Sequence, residues 1–244
     1  MKITNVVITT LFNDCEYKSG LKTSHGISCL VETLSLGKQQ NILFDTGGDG
    51  QVLLSNIKAL GLYTNDIQNV FLSHIHSDHV GGLPQILKKN KNVKVFIPAS
   101  FPDSIKQTIE SFLVEYKEID ENEAIFESVY STGQMGMDVV EQSLVLDTIK
   151  GLVIISGCAH PGIVNIVKKA KEMLPDNKVY LVMGGFHLKD SEKVEIENII
   201  QSFKKLGVEK VAPSHCSGGL ARELFKKGYG ENYIKNGVGG IIEI

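Results

Sequence analysis

The stretch SHIHSDHVGG, Ser73 to Gly82, carries three of the seven histidines of the chain and one aspartate within six residues, His74 to His79. It follows the apolar run NVFLS and precedes GGLPQIL, where Pro84 falls in a first helical turn. The stretch therefore reads as a strand-to-helix connection. His74 and His76 are two residues apart and point to one side while the backbone stays extended. Asp78 and His79 fall where the chain turns. Such a connection aims two imidazoles at one point and an Asp–His pair at a second point nearby. Imidazole and carboxylate, with no thiolate in the set, suit a working zinc, iron or manganese rather than a structural zinc. A loop of solvated histidines is the bland alternative, and it leaves the spacing without a reason.

Local ligands seldom complete such a site, and three more histidines follow apolar strands at chain turns. His160 lies in LVIISGCAHPG, His187 in YLVMGGFHL and His215 in VAPSHCSGG. Each projects from the end of a strand, where α/β enzymes gather their chemistry. Beside the cluster, His160 and His215 become ligand candidates. Asp45 ends an apolar strand just before TGG. It is expected to orient a metal-bound histidine by accepting its other N–H, with a simple turn cap as the alternative. His25, ahead of the strand ISCLVET, either lines the substrate pocket or is a plain loop histidine. Cys158 and Cys216, beside His160 and His215, are read as small buried thiols, with soft ligation as the alternative.

Around these motifs strands and helices alternate. KITNVVITTL, GISCLVETLSL and QNILFDTGG are strands, and GQVLLSNIKALGL is a helix. VKVFIPA is a strand and PDSIKQTIESF a helix. In the second half SLVLDTIKGLVIIS reads as a strand hairpin. GIVNIVKKAKEML, EKVEIENIIQSFKKLG and GLARELFKKG read as helices, separated by the strands KVYLVMGG and EKVAPSH, and VGGIIEI closes the chain as a strand. The pattern predicts an α/β protein in which two sheets pack face to face with helices outside. With 244 residues and no obvious linker, residues 1–244 are expected to form a single domain. A net charge of −3 argues against a general nucleic-acid binder. Four widely spaced cysteines imply no disulfide framework. There is no signal-peptide pattern and no run of membrane-spanning length. The expected setting is cytoplasmic, with a small-molecule substrate, no nucleic acid and no membrane. The oligomeric state stays open.

His74-x-His76-x-Asp78-His79 resembles the hydrolase signature of the metallo-β-lactamase superfamily. The upstream LFDTGG resembles its preceding strand. GCAHPGIVNIVKKA, VMGGFHL and VAPSHCSG resemble a narrower branch of metal-dependent hydrolases, that of the dihydropterin–ribofuranosylaminobenzene 5'-phosphate synthase type. The resemblance implies a four-layered αβ/βα sandwich, with His74, His76 and His160 at one metal and Asp78, His79 and His215 at a second. One or two divalent ions are implied, zinc first, with iron or manganese as alternatives. The superfamily usually adds a bridging aspartate after the strand that here reads KVYLVMGGFHL, and Gly184 and Gly185 stand in its place. His187 is then expected to contact substrate, or to ligate in the aspartate's stead. The implied chemistry is hydrolysis by a metal-bound hydroxide, with Asp78 orienting it or taking its proton. A site short of one carboxylate favours an anionic substrate of phosphoester, thioester or lactone type. The rival reading is a metal- or ligand-binding protein without turnover.

Overall fold

Apolar side chains alternate along the strands, and in the computed structural model, which describes residues 1–244, that alternation sorts them into separate cores. β1 (Asn5–Phe12), β2 (Ser28–Ser35) and β3 (Lys38–Phe44) form an antiparallel meander. β4 (Asn69–Phe71), β5 (Lys94–Pro98) and β6 (Glu115–Ile119) extend it in parallel from β3. In a second sheet, β7 (Glu123–Phe126), β8 (Val129–Ser131), β9 (Leu144–Thr148) and β10 (Gly151–Ser156) are antiparallel. β11 (Val179–Gly185) and β12 (Val208–Ser214) then run parallel to β10. The last strand, β13 (Ile241–Glu243), returns to the first sheet beside β1.

Val6, Ile8, Val31, Ile42, Phe44, Phe71 and Phe96 face Leu144, Leu146, Val153, Ile155, Leu181 and Met183 between the sheets. Their neighbours one residue along, among them Leu30, Leu43, Val70 and Val95, turn the other way. They pack under α1 (Gly50–Ala59), α3 (Leu83–Lys89) and α4 (Asp103–Ser111) through Leu53, Ile57, Ile86 and Ile109. On the far side Leu152, Ile154, Val182 and Val211 meet α5 (Ile163–Met173), α6 (Lys193–Lys205) and α7 (Gly219–Tyr229). The α5 stripe Ile163, Ile166, Val167, Ala170 has the 3–4 spacing of a helix with one buried face. The result is the expected four-layered αβ/βα sandwich. The four-residue helix α2 (Ser77–Val80) lies within the histidine cluster and joins the first sheet's outer core through Val80.

Residues 112–143 carry three strands, β6 to β8, for which the sequence pattern offers no reading. β6 is an edge strand of the first sheet and β7 of the second. Edge strands face water and often bear charge. Here Glu115, Lys117 and Glu123 interrupt the apolar alternation, and Lys94–Glu115 and Lys117–Glu123 form ion pairs across the edges. No helix is long and apolar enough to cross a membrane.

Phe44 and Phe71 stack between the sheets with centroids 5.7 Å apart, and neither is exposed to solvent. Phe71→Ala is expected to cost about 3–5 kcal/mol in a denaturant melt, as a cavity in a closed core does. A loss below about 1 kcal/mol would show that the sheets repack.

Candidate metal centre

Sheet direction brings the candidate residues together. β1, β3 and β4 all point one way, because β2 is antiparallel to both β1 and β3 while β4 is parallel to β3. Asp14, Asp45 and His74 follow those three strands. In the second sheet, parallel β10, β11 and β12 deliver His160, His187 and His215 just beyond their C-terminal ends. The two C-terminal edges face each other. His74, His76, Asp78, His79, His160 and His215 all meet in one cluster there, and His25 and His187 flank it.

The cluster has two lobes. In the first, the His74, His76 and His160 rings are mutually 4.8 Å apart. In the second, Asp78 Oδ2 lies 3.3 Å from His79 Nε2 and 3.1 Å from His215 Nε2. The lobes adjoin, with the His74 and His79 rings 4.0 Å apart.

Hydrogen bonds fix which nitrogen of each buried ring is free. Asp45 Oδ1 accepts from the Ser73 N–H at 2.7 Å. Its Oδ2 accepts from the Ser73 hydroxyl and from His79 Nδ1, each at 2.7 Å. With its proton given to Asp45, Ser73 Oγ is left to accept from His74 Nδ1 at 2.9 Å. His215 Nδ1 donates to Asp14 Oδ2 at 3.2 Å. In each case Nδ1 carries a proton and Nε2 turns inward, the arrangement a ligating histidine needs once Nε2 has given up its own proton. Nε2 of His74, His160 and His215 is buried without a hydrogen-bond partner. Three buried ring nitrogens left without a partner at one place are costly, and imidazoles gathered with a carboxylate are a metal-ligand set, so the residues fit a divalent metal.

The cluster opens into a cleft of about 550 Å³. His76, Asp78, His160 and His215 line its floor, and His25, His187, Lys189, Asp190, Ser191 and Glu195 its walls. His25 is well exposed, with Nε2 3.5 Å from Asp78 Oδ2 and Nδ1 3.3 Å from Asp14. The exposed His187 ring is 4.5 Å from that of His160. Cys158 and Cys216 close the base, among otherwise polar or charged side chains.

Among the residues of this site that are not sequence candidates, three hold the others in place. Asp14 and Ser73 anchor imidazoles as just described. Glu141, 1% exposed, accepts the backbone N–H groups of Gly157, Cys158, Ala159 and His160 at 2.9 to 3.1 Å. It thereby shapes the loop that bears Cys158 and His160. Asp14 had a legible signal, since LFND repeats the strand-end pattern of LFDT. Ser73 and Glu141 had none, because they act on neighbouring atoms rather than through a motif. The backbone is strained here as well. Asp45, Ala159, His187 and His215 are four of the seven non-glycine residues with positive φ.

At Gly184 and Gly185 the structure leaves no room for a carboxylate. A Cβ on Gly185 would lie 2.6 Å from Cys216 Sγ and 2.4 Å from Gly157 O. One on Gly184, whose φ is +110°, would lie 2.0 Å from Ser156 O. An aspartate cannot be restored at either place, because sulfur and backbone fill the space.

The two lobes differ in charge. Burial and the neighbouring histidines hold His74 well below the ordinary value of 6.5 and His160 at about 4. Burial also opposes charge on His79 and His215, but the Asp45 and Asp78 carboxylates beside His79 push it up to about 10. Asp14 and Asp78 push His215 up to about 9. Asp78 is held well below the carboxylate range by His215 and His79, against its own burial. Raised histidines stabilise fully below 6.5 and lose that contribution as pH rises through about 9 and 10. Depressed ones stabilise above 6.5 and lose it as pH falls. The metal-free protein is therefore expected to melt highest near pH 6.5 and lower on both sides. A melting temperature that climbs steadily from pH 6.5 to 10 would contradict this balance.

A family model described as the metallo-β-lactamase superfamily matches residues 28–130. The 7,8-dihydropterin-6-methyl-4-(β-D-ribofuranosyl)-aminobenzene-5'-phosphate synthase of Methanocaldococcus jannaschii is 34% identical over 287 aligned positions, covering 99% of this chain and 98% of that one. Ribonuclease Z of Nanoarchaeum equitans is 33% identical over 39% of this chain and 35% of its own length. The crystal structure of Tm1679, a metal-dependent hydrolase of the β-lactamase superfamily, superposes with a TM-score of 0.81 at 28% identity, covering 98% of this chain and 99% of that one.

Proposed function

The chain belongs to the metallo-β-lactamase superfamily, and we propose that it is a metal-dependent hydrolase of a small anionic substrate. The observation that carries this reading is the set of three buried, unpartnered Nε2 atoms, of which those of His160 and His215 belong to residues lining a polar cleft. His74, His76 and His160 would hold one divalent ion, and Asp78, His79 and His215 a second, with zinc the first expectation. When bound, the ions supply Lewis acidity and water that ionises near neutral pH.

The remaining work falls to side chains. Asp78, part-exposed at the cleft floor, orients the attacking water. Asp45 and Asp14 keep the His79 and His215 rings from turning. His187 and Lys189 on the cleft wall bind the anionic group of the substrate. Lys189 is the only lysine or arginine in the lining, enough for one small anion and too little for a nucleic-acid backbone, which needs many cations. The M. jannaschii relative is named for a product bearing a 5'-phosphate, which supports an anion-handling site. Four free cysteines support a reducing, cytoplasmic setting. A single domain is supported by the site itself, to which both sheets contribute.

Metal analysis of protein purified without added metal, followed by a panel of phosphoesters, thioesters, lactones and a precursor RNA, tests this reading. Turnover of a small phosphoester that stops with chelator and returns with zinc is expected. Metal binding without turnover on any member of the panel would favour the non-catalytic rival, and cleavage of RNA alone would overturn the substrate class. Chelation should also lower the melting temperature, since ligand at 100 times its Kd adds about 2.7 kcal/mol to the folded state. Asp78→Asn is expected to lower kcat by roughly 10²-fold. His187→Ala should raise KM more than it lowers kcat. Complete metal loss in His187→Ala would move that histidine to the metal itself.

A further inference from the structure

We propose that the thiolate of Cys158 takes the place of the absent bridging carboxylate and bonds both metal ions. The inference rests on the two-lobed metal centre just described. Its geometric basis is that Cys158 Sγ is shared between the lobes. It lies within 4.8 Å of the ligand atoms of Asp78, His79 and His215 on one side, and of His74 and His160 on the other. It is 3.3 Å from His79 Nε2, the nitrogen left free by the bond to Asp45.

The second basis is steric. The strand that would bring in an aspartate, β11, ends in Gly184 and Gly185, and neither has room for a side chain. A negative ligand must therefore reach the gap from elsewhere. The loop after β10 supplies one. Glu141 Oε1 binds the N–H groups of Gly157, Cys158 and Ala159, and Ala159 adopts φ +63°. This conformation turns Cys158, 4% exposed, toward the space between the lobes. Gly157 permits the approach, since a Cβ there would lie 2.1 Å from Ser73 Oγ.

Cys216 Sγ lies 2.6 Å from where a Gly185 Cβ would be, but it is not shared between the lobes. It groups with Cys158 and His187 only, and lies 3.6 Å from the Cys158 carbonyl oxygen. Chemically the exchange is balanced. The Cys158 S–H bond breaks, sulfur–metal bonds form and the proton leaves to solvent, with no change of oxidation state. A thiolate carries the same single negative charge as the carboxylate it replaces, and it is an established zinc ligand.

The test is cobalt(II) titration of the metal-free protein, followed by absorption, with X-ray absorption of the zinc-loaded protein. Wild type is expected to develop a near-ultraviolet thiolate-to-cobalt charge-transfer band. Zinc-loaded protein should show a sulfur shell at about 2.3 Å. Cys158→Ser should lose the band and bind the second cobalt at least about tenfold more weakly, while Cys216→Ser keeps both band and affinity. Cobalt uptake with no band, a purely nitrogen and oxygen shell, or a band lost in Cys216→Ser but kept in Cys158→Ser would overturn the thiolate bridge. Failure to take up cobalt at all would instead overturn the metal centre beneath it. Circular dichroism checks that Cys158→Ser folds. If it does not, wild type and Cys216→Ser decide by their sulfur shells, because Cys15 and Cys29 lie outside the cleft.

Discussion

Asp45 is a fully buried carboxylate, and the first histidine cluster is built around it. A buried carboxylate costs several kcal/mol unless donors replace the lost water. The Ser73 amide, the Ser73 hydroxyl and His79 Nδ1 do so, each at 2.7 Å. The next residue completes the grip, since the Thr46 amide and hydroxyl both donate to the His79 carbonyl. His79 is thus held by its ring and by its backbone from two consecutive residues. Through Ser73 the same carboxylate also sets the tautomer of His74. One buried charge therefore orients a nitrogen in each lobe.

The second sheet solves the same problem with a different group. Its loop after β10 is short of side-chain anchors, so the Glu141 carboxylate holds four successive backbone N–H groups instead. Burial pushes the Glu141 carboxyl up, against those hydrogen bonds. The adjoining Gln142 joins the two sheets, donating from its amide to Ser73 O and from Nε2 to Leu72 O. Residues 141 and 142 thereby fix the loop bearing Cys158 and His160 against the strand bearing His74. Four left-handed residues at this edge store on the order of 1–3 kcal/mol each. Three apolar cores behind them keep that strain from relaxing, so the short loops that carry the site are positioned by the strands they leave.

How much of this could be read from residues alone follows from where the information resides. His74 to His79 is a local pattern, and its strand-to-helix setting is visible because apolar alternation stops and glycine follows. The strands feeding His160, His187 and His215 are continuous apolar runs, so their ends are visible too. That the ends meet depends on β10, β11 and β12 being parallel, a property of pairing between distant segments. β6 to β8 are not legible because short edge strands carry Glu115, Lys117 and Glu123 where a buried strand would be apolar. Glu141 escaped because its partners are backbone amides, which leave no trace in the residue types it meets. The missing carboxylate at Gly184 and Gly185 was legible as an absence. What occupies its space was not, since Cys158 and Cys216 reach it from two other strand ends.

The exposure of the ligand set grades from dry to wet, and this shapes its chemistry. His74 and His79 have no solvent exposure and His215 has 3%, whereas His76, His187 and His25 face the cleft. On the dry side every Nδ1 is tied to an oxygen and cannot rotate, so a bound ion meets lone pairs already aimed at it. On the wet side the imidazoles are free to follow a substrate. A sulfur bridge at the base of the dry side narrows the choice of metal. Oxygen-only bridges suit manganese and iron as well as zinc, while a thiolate among imidazoles favours the softer zinc ion. Replacing carboxylate by thiolate leaves the charge of the centre unchanged and alters its selectivity. Gly185 leaves the Cys216 sulfur the room that a side chain would have taken, while the Cys158 sulfur reaches the ligands of both lobes from the loop after β10.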